Sequence, residues 1–160
     1  MWEGRFIKAQ RRGRWEFAGR ARGIKAAVIL AAVDGDVLLV EQYRVPLGRV
    51  CLELPAGLIG DDVEGEAVEV AAARELEEET GYRAGRIEVV GKFFSSPGMI
   101  SEGFTLVRAH DLVKVGEGGG VDGEGITVHQ VPRAAIAQFI AERRKAGVAI
   151  DVKLLALLDL

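Results

Sequence analysis

The sequence predicts an α+β fold: a mixed β-sheet with helices on its faces and a β-strand extension at the N-terminus. Three observations predict it. Short runs rich in Val, Ile, Leu and Ala, separated by turn residues, dominate the chain. One long stretch without Gly or Pro, residues 66–80, stands near the middle, and helical signals return only towards the C-terminus. With 160 residues, 49% hydrophobic and 28% charged, the chain has enough apolar content to close a core within a single domain over 1–160.

Each element has a local reason. Residues 5–9 and 14–18 alternate weakly and are expected as short strands around a turn at 11–13. Stronger strands are expected at 25–33 and 36–43, joined at Asp34 and Gly35, and 50–54 continues the sheet until Pro55, which cannot donate to a ladder. Residues 66–80 are good helix formers throughout, and Gly81 supplies a left-handed stop. Strands follow at 86–94 and 103–109. The segment 117–125 holds five glycines and three carboxylates, so a mobile loop is expected there. Residues 126–131 read as a strand, and Pro132 suits the N1 position of a helix running to Lys145. Val152, Leu154, Leu155, Leu157 and Leu158 make a short apolar closing helix.

Charge narrows the function. The net charge of −3 argues against a dedicated nucleic-acid binder. Yet residues 1–25 carry eight Lys/Arg against two Glu, whereas 60–82 carry nine Asp/Glu against one Arg. A basic arm and an acidic centre suit an anionic small-molecule substrate with a cation between it and the protein. The single cysteine, Cys51, excludes a disulfide framework and a thiolate zinc cluster. His110 and His129 are too few and too scattered for a histidine-rich metal site, and read as strand residues with satisfied ring nitrogens. No apolar run reaches membrane-spanning length and no signal peptide precedes the charged start, so a soluble, cytoplasmic protein is expected.

The densest signal is Arg74-Glu75-Leu76-Glu77-Glu78-Glu79-Thr80-Gly81. At about 100° per residue, Glu75, Glu78 and Glu79 share an arc of roughly 100°, and Glu77 points away. Like charges three and four residues apart repel, and they sit at the helix C-terminus, where the macrodipole disfavours anions. A hard divalent cation such as Mg²⁺ or Mn²⁺ relieves both penalties.

Reading back, Glu66 lies eight positions before Arg74, and Gly60 six before Glu66. Gly60, Glu66, Arg74, Glu75, Leu76, Glu78, Glu79, Gly81 and Tyr82 together match the 23-residue Nudix box, and the chain resembles a Nudix hydrolase. The resemblance implies an α/β/α sandwich whose loop–helix–loop carries a metal site, and hydrolysis of a nucleoside diphosphate linked to another group. It implies metal ligation by Glu75, Glu78, Glu79 and a backbone carbonyl. The stretch Glu53-Leu54-Pro55-Ala56-Gly57 resembles the run where relatives place the box glycine. The structural glycine is therefore Gly57 or Gly60, and the carbonyl that of Ala56 or Ile59, with Ala56 favoured because Pro55 stiffens the turn. Arg74 is expected to pair with a box glutamate such as Glu66 and orient the helix.

Residues outside the box resemble the ADP-ribose pyrophosphatase subfamily. Arg44, closing Glu41-Gln42-Tyr43-Arg44, is expected on the diphosphate, its fork suited to two phosphate oxygens. Pro97 lies sixteen residues after Gly81, the spacing tied to ADP-ribose specificity, and Glu102 resembles the acidic residue beyond it, on the ribose or its water. Asp122 and Glu124 have the spacing of the acidic loop that activates water in these relatives; by that resemblance Asp122 activates water and Glu124 assists the metal, with the roles exchangeable. The implied reaction uses Mg²⁺ ions bridging the diphosphate, neutralising its charge and lowering a water's pKa, and yields AMP and ribose 5-phosphate. The arm over 1–24, with Trp2, Phe6, Trp15 and Phe17, is expected to form a homodimer, and 25–160 the catalytic core. Alternatives are another nucleotide sugar such as GDP-mannose and a non-catalytic nucleotide sensor, whose usual loss of box carboxylates is not seen here. An EF-hand-like calcium module is disfavoured because Asp61 and Asp62 lack its alternation.

Overall fold

A computed structural model describes residues 2–21, 24–60, 65–121 and 123–157. The N-terminal arm is a two-stranded hairpin, β1 (Ile7–Arg12) and β2 (Trp15–Arg20), turning at Gly13, whose φ of 61° suits glycine. β3 (Lys25–Val33) and β4 (Asp36–Arg44) follow, joined by Asp34 and Gly35 with φ of 51° and 90°. Two consecutive positive φ values match the twist of a tight hairpin, which is why Asp-Gly stands there. A 3₁₀ turn (Val45–Leu47) leads into β5 (Arg49–Glu53) and β6 (Ala56–Ile59). The sequence reading stopped the sheet at Pro55. Instead the Pro55 carbonyl accepts from Ile29 N, and the chain re-enters as β6 on the other side of the proline.

Helix α1 (Val68–Thr80) starts two residues later than expected and ends at Gly81, φ 74°. β7 (Tyr82–Phe93) and β8 (Phe104–Lys114) are longer than predicted, because hairpin pairing recruits residues too polar to signal a strand alone. β9 is Thr127–Pro132. Pro132 closes this strand opposite Asp36 rather than opening an α-helix, and a 3₁₀ turn (Arg133–Ala135) separates it from α2 (Ile136–Lys145). After β10 (Ala149–Ile150), the expected closing helix is a 3₁₀ turn (Val152–Leu157); Leu158 lies outside the described residues.

The strand order is β10-β5-β4-β3-β8-β7, with β6 also on β3 and β9 on β4. β3 is the hub: its first half pairs β6 on one side and β8 on the other. Both its faces are buried, which explains its unbroken apolar run. Ala27, Ile29 and Ala31 meet Ala71, Ala72 and Leu76 of α1, while Val28 faces Ile136 and Ile140 of α2 and Leu154 and Leu157 of the last turn. Alanines on both α1 and β3 bring the helix close to the sheet. The result is the expected α/β/α sandwich. Among the described residues no helix is long and apolar enough to cross a membrane. Cys51 is free and buried, and burial pushes its thiol up to about 12. His110 Nε2 meets Glu88 at 2.8 Å as expected of a satisfied ring. His129 departs from that expectation: its Nε2 is buried without a hydrogen-bond partner among the described residues, 3.5 Å from Glu41 Oε1.

Candidate active site

The C-terminal half of α1 forms one wall of a cleft of about 690 Å³. Its register separates the glutamates as the helical wheel requires. Glu75, Glu78 and Glu79 line the cleft, while Glu77 points outward and accepts two 2.9 Å hydrogen bonds from Arg83. Arg74 holds the cleft-facing set together, its Nη1 donating to Glu75 at 3.0 Å and Glu78 at 3.3 Å and its Nη2 to Glu66 at 3.5 Å. The expected Arg74–Glu66 pair is one arm of this bridge.

Glu79 is the most buried of the three. Its Oε2 accepts from Ala56 N at 3.0 Å, which ties α1 to the start of β6. Burial, reinforced by the nearby Glu75 and Glu124 charges, pushes its carboxyl up to about 8, against the opposing pull of the Ala56 N–H and Arg44. Burial also raises Glu75, with Arg74 acting in opposition. Gly57 explains how the carboxylates come so close to β6: a Cβ there would overlap the Glu75 side chain. Gly60, with φ 79°, serves the turn leaving β6. Of the two candidate glycines, Gly57 is therefore the one that packs against a box carboxylate, and Ala56 is the residue beside it.

The glycine-rich segment after β8 is a clasp as well as a loop. Gly119 N donates to Glu79 O at 2.8 Å and Gly120 N to Glu78 O at 3.0 Å, while Val115 N and Gly116 N donate to Gly81 O. These donors satisfy carbonyls that a helix end leaves orphaned. Gly118 is needed because a Cβ would meet the Thr80 and Glu79 backbone. The described residues of 117–125 form a loop, as expected, and its first half is tied to the end of α1 by these bonds. The clasp delivers Glu124 to the cleft, where Val121 N donates to its Oε2 at 3.0 Å. Asp122 lies outside the described residues.

The floor is Ala26 and Val28 of β3, and the opposite wall is built around Gly103 and Phe104 at the start of β8. Arg44 reaches the cleft, but its fork is held by Glu53: Nε donates to Oε1 at 2.6 Å and Nη2 to Oε2 at 2.9 Å. Glu102 also lines the cleft and accepts from Arg20 Nε at 2.7 Å. Pro97 is not among the lining residues, whereas Ser95 of the same turn is. Trp2, Phe6 and Trp15 are exposed on the arm and do not line the cleft. Sequence reasoning missed Arg20, Gln42, Glu53 and Lys153, all on the lining. Glu53 carried a usable signal, a carboxylate directly after the apolar run Val50-Cys51-Leu52; Lys153 carried none.

The oxygen-only donor set suits a hard divalent cation. The observation that fits one is Glu79, a buried carboxyl bonded to Ala56 N and pushed up to about 8 by burial, with Glu75 and Glu124 adding a repulsion that a cation would remove. Without it, Arg74 supplies the positive charge between Glu75 and Glu78, and no three acidic, His or Cys side chains among the described residues form a ready cage.

Comparison with known proteins agrees with the geometry. The family model described as NUDIX domain matches residues 21–146. The chain is 41% identical over 88 residues to an ADP-ribose pyrophosphatase of Bacillus subtilis, covering 54% of this chain and 46% of that protein. It is 36% identical over 148 residues to a GDP-mannose pyrophosphatase of Cronobacter sakazakii, covering 86% and 73%. Other curated relatives are matched over 55% and 63% of their own length, so the chain spans about half to two thirds of several of them. A crystal structure of an ADP compounds hydrolase superposes with TM-score 0.65 at 24% identity, over 84% of this chain and 80% of that one, a likeness of fold.

Proposed function

The chain belongs to the Nudix family, and from that premise we propose that it hydrolyses the diphosphate linkage of a nucleoside diphosphate sugar, with ADP-ribose cleaved to AMP and ribose 5-phosphate. One observation carries the reading: Glu75, Glu78, Glu79 and Glu124, from a helix and a distant loop, line one cleft together with Arg44. The similarity to ADP-ribose pyrophosphatases supports the choice of substrate.

Glu75, Glu78, Glu79 and the Ala56 carbonyl would hold Mg²⁺, which supplies neutralisation of the charge that develops on the phosphoryl oxygens. The chain's own residues do the rest. Arg74 keeps the carboxylates in register. Arg44, positioned by Glu53, turns donors to the diphosphate. Glu124, aided by Asp122, orients water and takes its proton as the new P–O bond forms and the bridging P–O bond breaks. Glu102 and the Pro97 turn border the sugar. The reading carries with it a cytoplasmic homodimer, with 1–24 as the dimerising arm; its exposed Trp2, Phe6 and Trp15 support that role.

A hydrolysis screen with and without Mg²⁺ tests this. Release of AMP from ADP-ribose only with the metal is expected, and absence of turnover on every nucleoside diphosphate sugar would refute it. The second reading, GDP-mannose, is favoured by the Cronobacter sakazakii relative, and faster release of GMP than AMP would establish it.

A further inference from the structure

The last turn, Val152–Leu157, has no part in the mechanism above, yet it sends one charged side chain into the cleft. Lys153 is held there from two sides. Its Nζ lies 2.6 Å from Asp151 Oδ2 and 5.6 Å from the centre of the Phe104 ring. Asp151 is itself fixed, because its N donates to Leu52 O at 3.0 Å and its Oδ1 accepts from Lys153 N at 2.7 Å. Phe104 stacks on Phe93 with centroids 6.0 Å apart. A surface lysine samples many rotamers; this one, 19% exposed, is ordered before any ligand arrives, which lowers the cost of using it.

Its chemistry limits the ligand. An ammonium has three donors, and Asp151 is its single acceptor among the described residues, which leaves two for a ligand. Asp151 cancels its charge, as Glu102 cancels that of Arg20 on the same lining. This wall is therefore electrically neutral, rich in donors and acceptors, and backed by a flat ring. Such a surface suits a hydroxyl-bearing group and gives no net attraction to another phosphate. Position agrees. β6, whose Ala56 N holds Glu79, and β8, which opens with Phe104, flank β3, so their backbones run about 10 Å apart. A group bonded to a diphosphate seated at the glutamates spans that gap.

We propose that Lys153, positioned by Asp151 and Phe104, is a specificity-determining residue that donates hydrogen bonds to hydroxyls of the sugar beyond the diphosphate. The proposal rests on the nucleoside diphosphate sugar reading. The test measures kcat and KM per folded enzyme, with Mg²⁺, on ADP-ribose and on the methyl ester of ADP, which keeps the diphosphate and lacks the sugar. Lys153→Met is expected to raise KM for ADP-ribose about tenfold, as loss of a charged donor does, and to affect the methyl ester far less. Lys153→Arg, which keeps donors and the ring contact, is expected to recover most of the loss. Equal losses on both substrates, or none on either, would overturn the proposal; Lys153→Gln replaces Lys153→Met if the latter does not fold. A native enzyme that prefers GDP-mannose is tested with GDP-mannose and the methyl ester of GDP under the same criteria. A native protein that cleaves no nucleoside diphosphate sugar refutes the functional reading, and the subsite with it.

Discussion

The two walls of the cleft are built on opposite plans. The carboxylate wall comes from one helical turn and the backbone that clasps it: Glu75, Glu78 and Glu79 within five residues, pinned by Ala56 N, Gly119 N and Gly120 N. The facing wall is collected from β2, the start of β8 and the last turn, and its cations arrive already paired, Arg20 with Glu102 and Lys153 with Asp151. One wall concentrates like charge and buries it; the other cancels every charge it presents. The first therefore holds free energy in reserve for a cation, and the second is prepared to sort neutral groups by shape and hydrogen bonding.

Substitutions that exchange these properties test the contrast. The largest effect is expected on the carboxylate wall, where Glu79→Gln removes a buried anion. Activity with Mg²⁺ should fall about 10²–10³-fold, whereas Glu53→Gln, which only loosens Arg44, should mainly raise KM. Comparable kcat losses in both variants would show that the walls do not divide the work in this way.

The reserve should also appear as a pH effect without metal. Glu79 keeps its proton in the folded chain up to about 8, while the unfolded chain loses it near 4.5. From pH 4.5 to 8 the unfolded state is thus progressively favoured, so this group costs stability as pH rises, by a few kcal/mol at most. Thermal melts in chelator should show the decline, and Mg²⁺ should raise Tm more at pH 8 than at pH 5. A Mg²⁺ effect that is the same at both pH values would contradict a cation relieving Glu79. The smallest effect is expected just outside the cleft. Glu77 is held below the usual carboxylate range by its hydrogen bonds from Arg83, and the pair is exposed. Glu77→Gln should leave turnover intact and leave the midpoint of a denaturant titration essentially where it is, because the pair is open to solvent.

Legibility followed the same division. The helix, its stop at Gly81, the Asp34–Gly35 hairpin and the outward direction of Glu77 depend on interactions within a few residues, and all were readable. Pro132 misled because a proline that suits a helix start also suits the last position of a strand, and pairing with Asp36 decided between them. The glycines at 118–120 signalled freedom, and the structure uses it to bring backbone against backbone at the end of α1. Pro55 hid β6 because the proline interrupts the ladder without ending the strand pair.

What the sequence determined by itself is therefore the chemistry of one wall: helical periodicity of 3.6 places three glutamates on one face whatever surrounds them. What that face looks upon was settled only by the tertiary structure. Glu53, Arg20 and Lys153 are dispersed along the chain, and they meet because β3 pairs β6 on one edge and β8 on the other while the last turn packs beneath. Contacts of that kind depend on strand order and core packing, which no local spacing encodes.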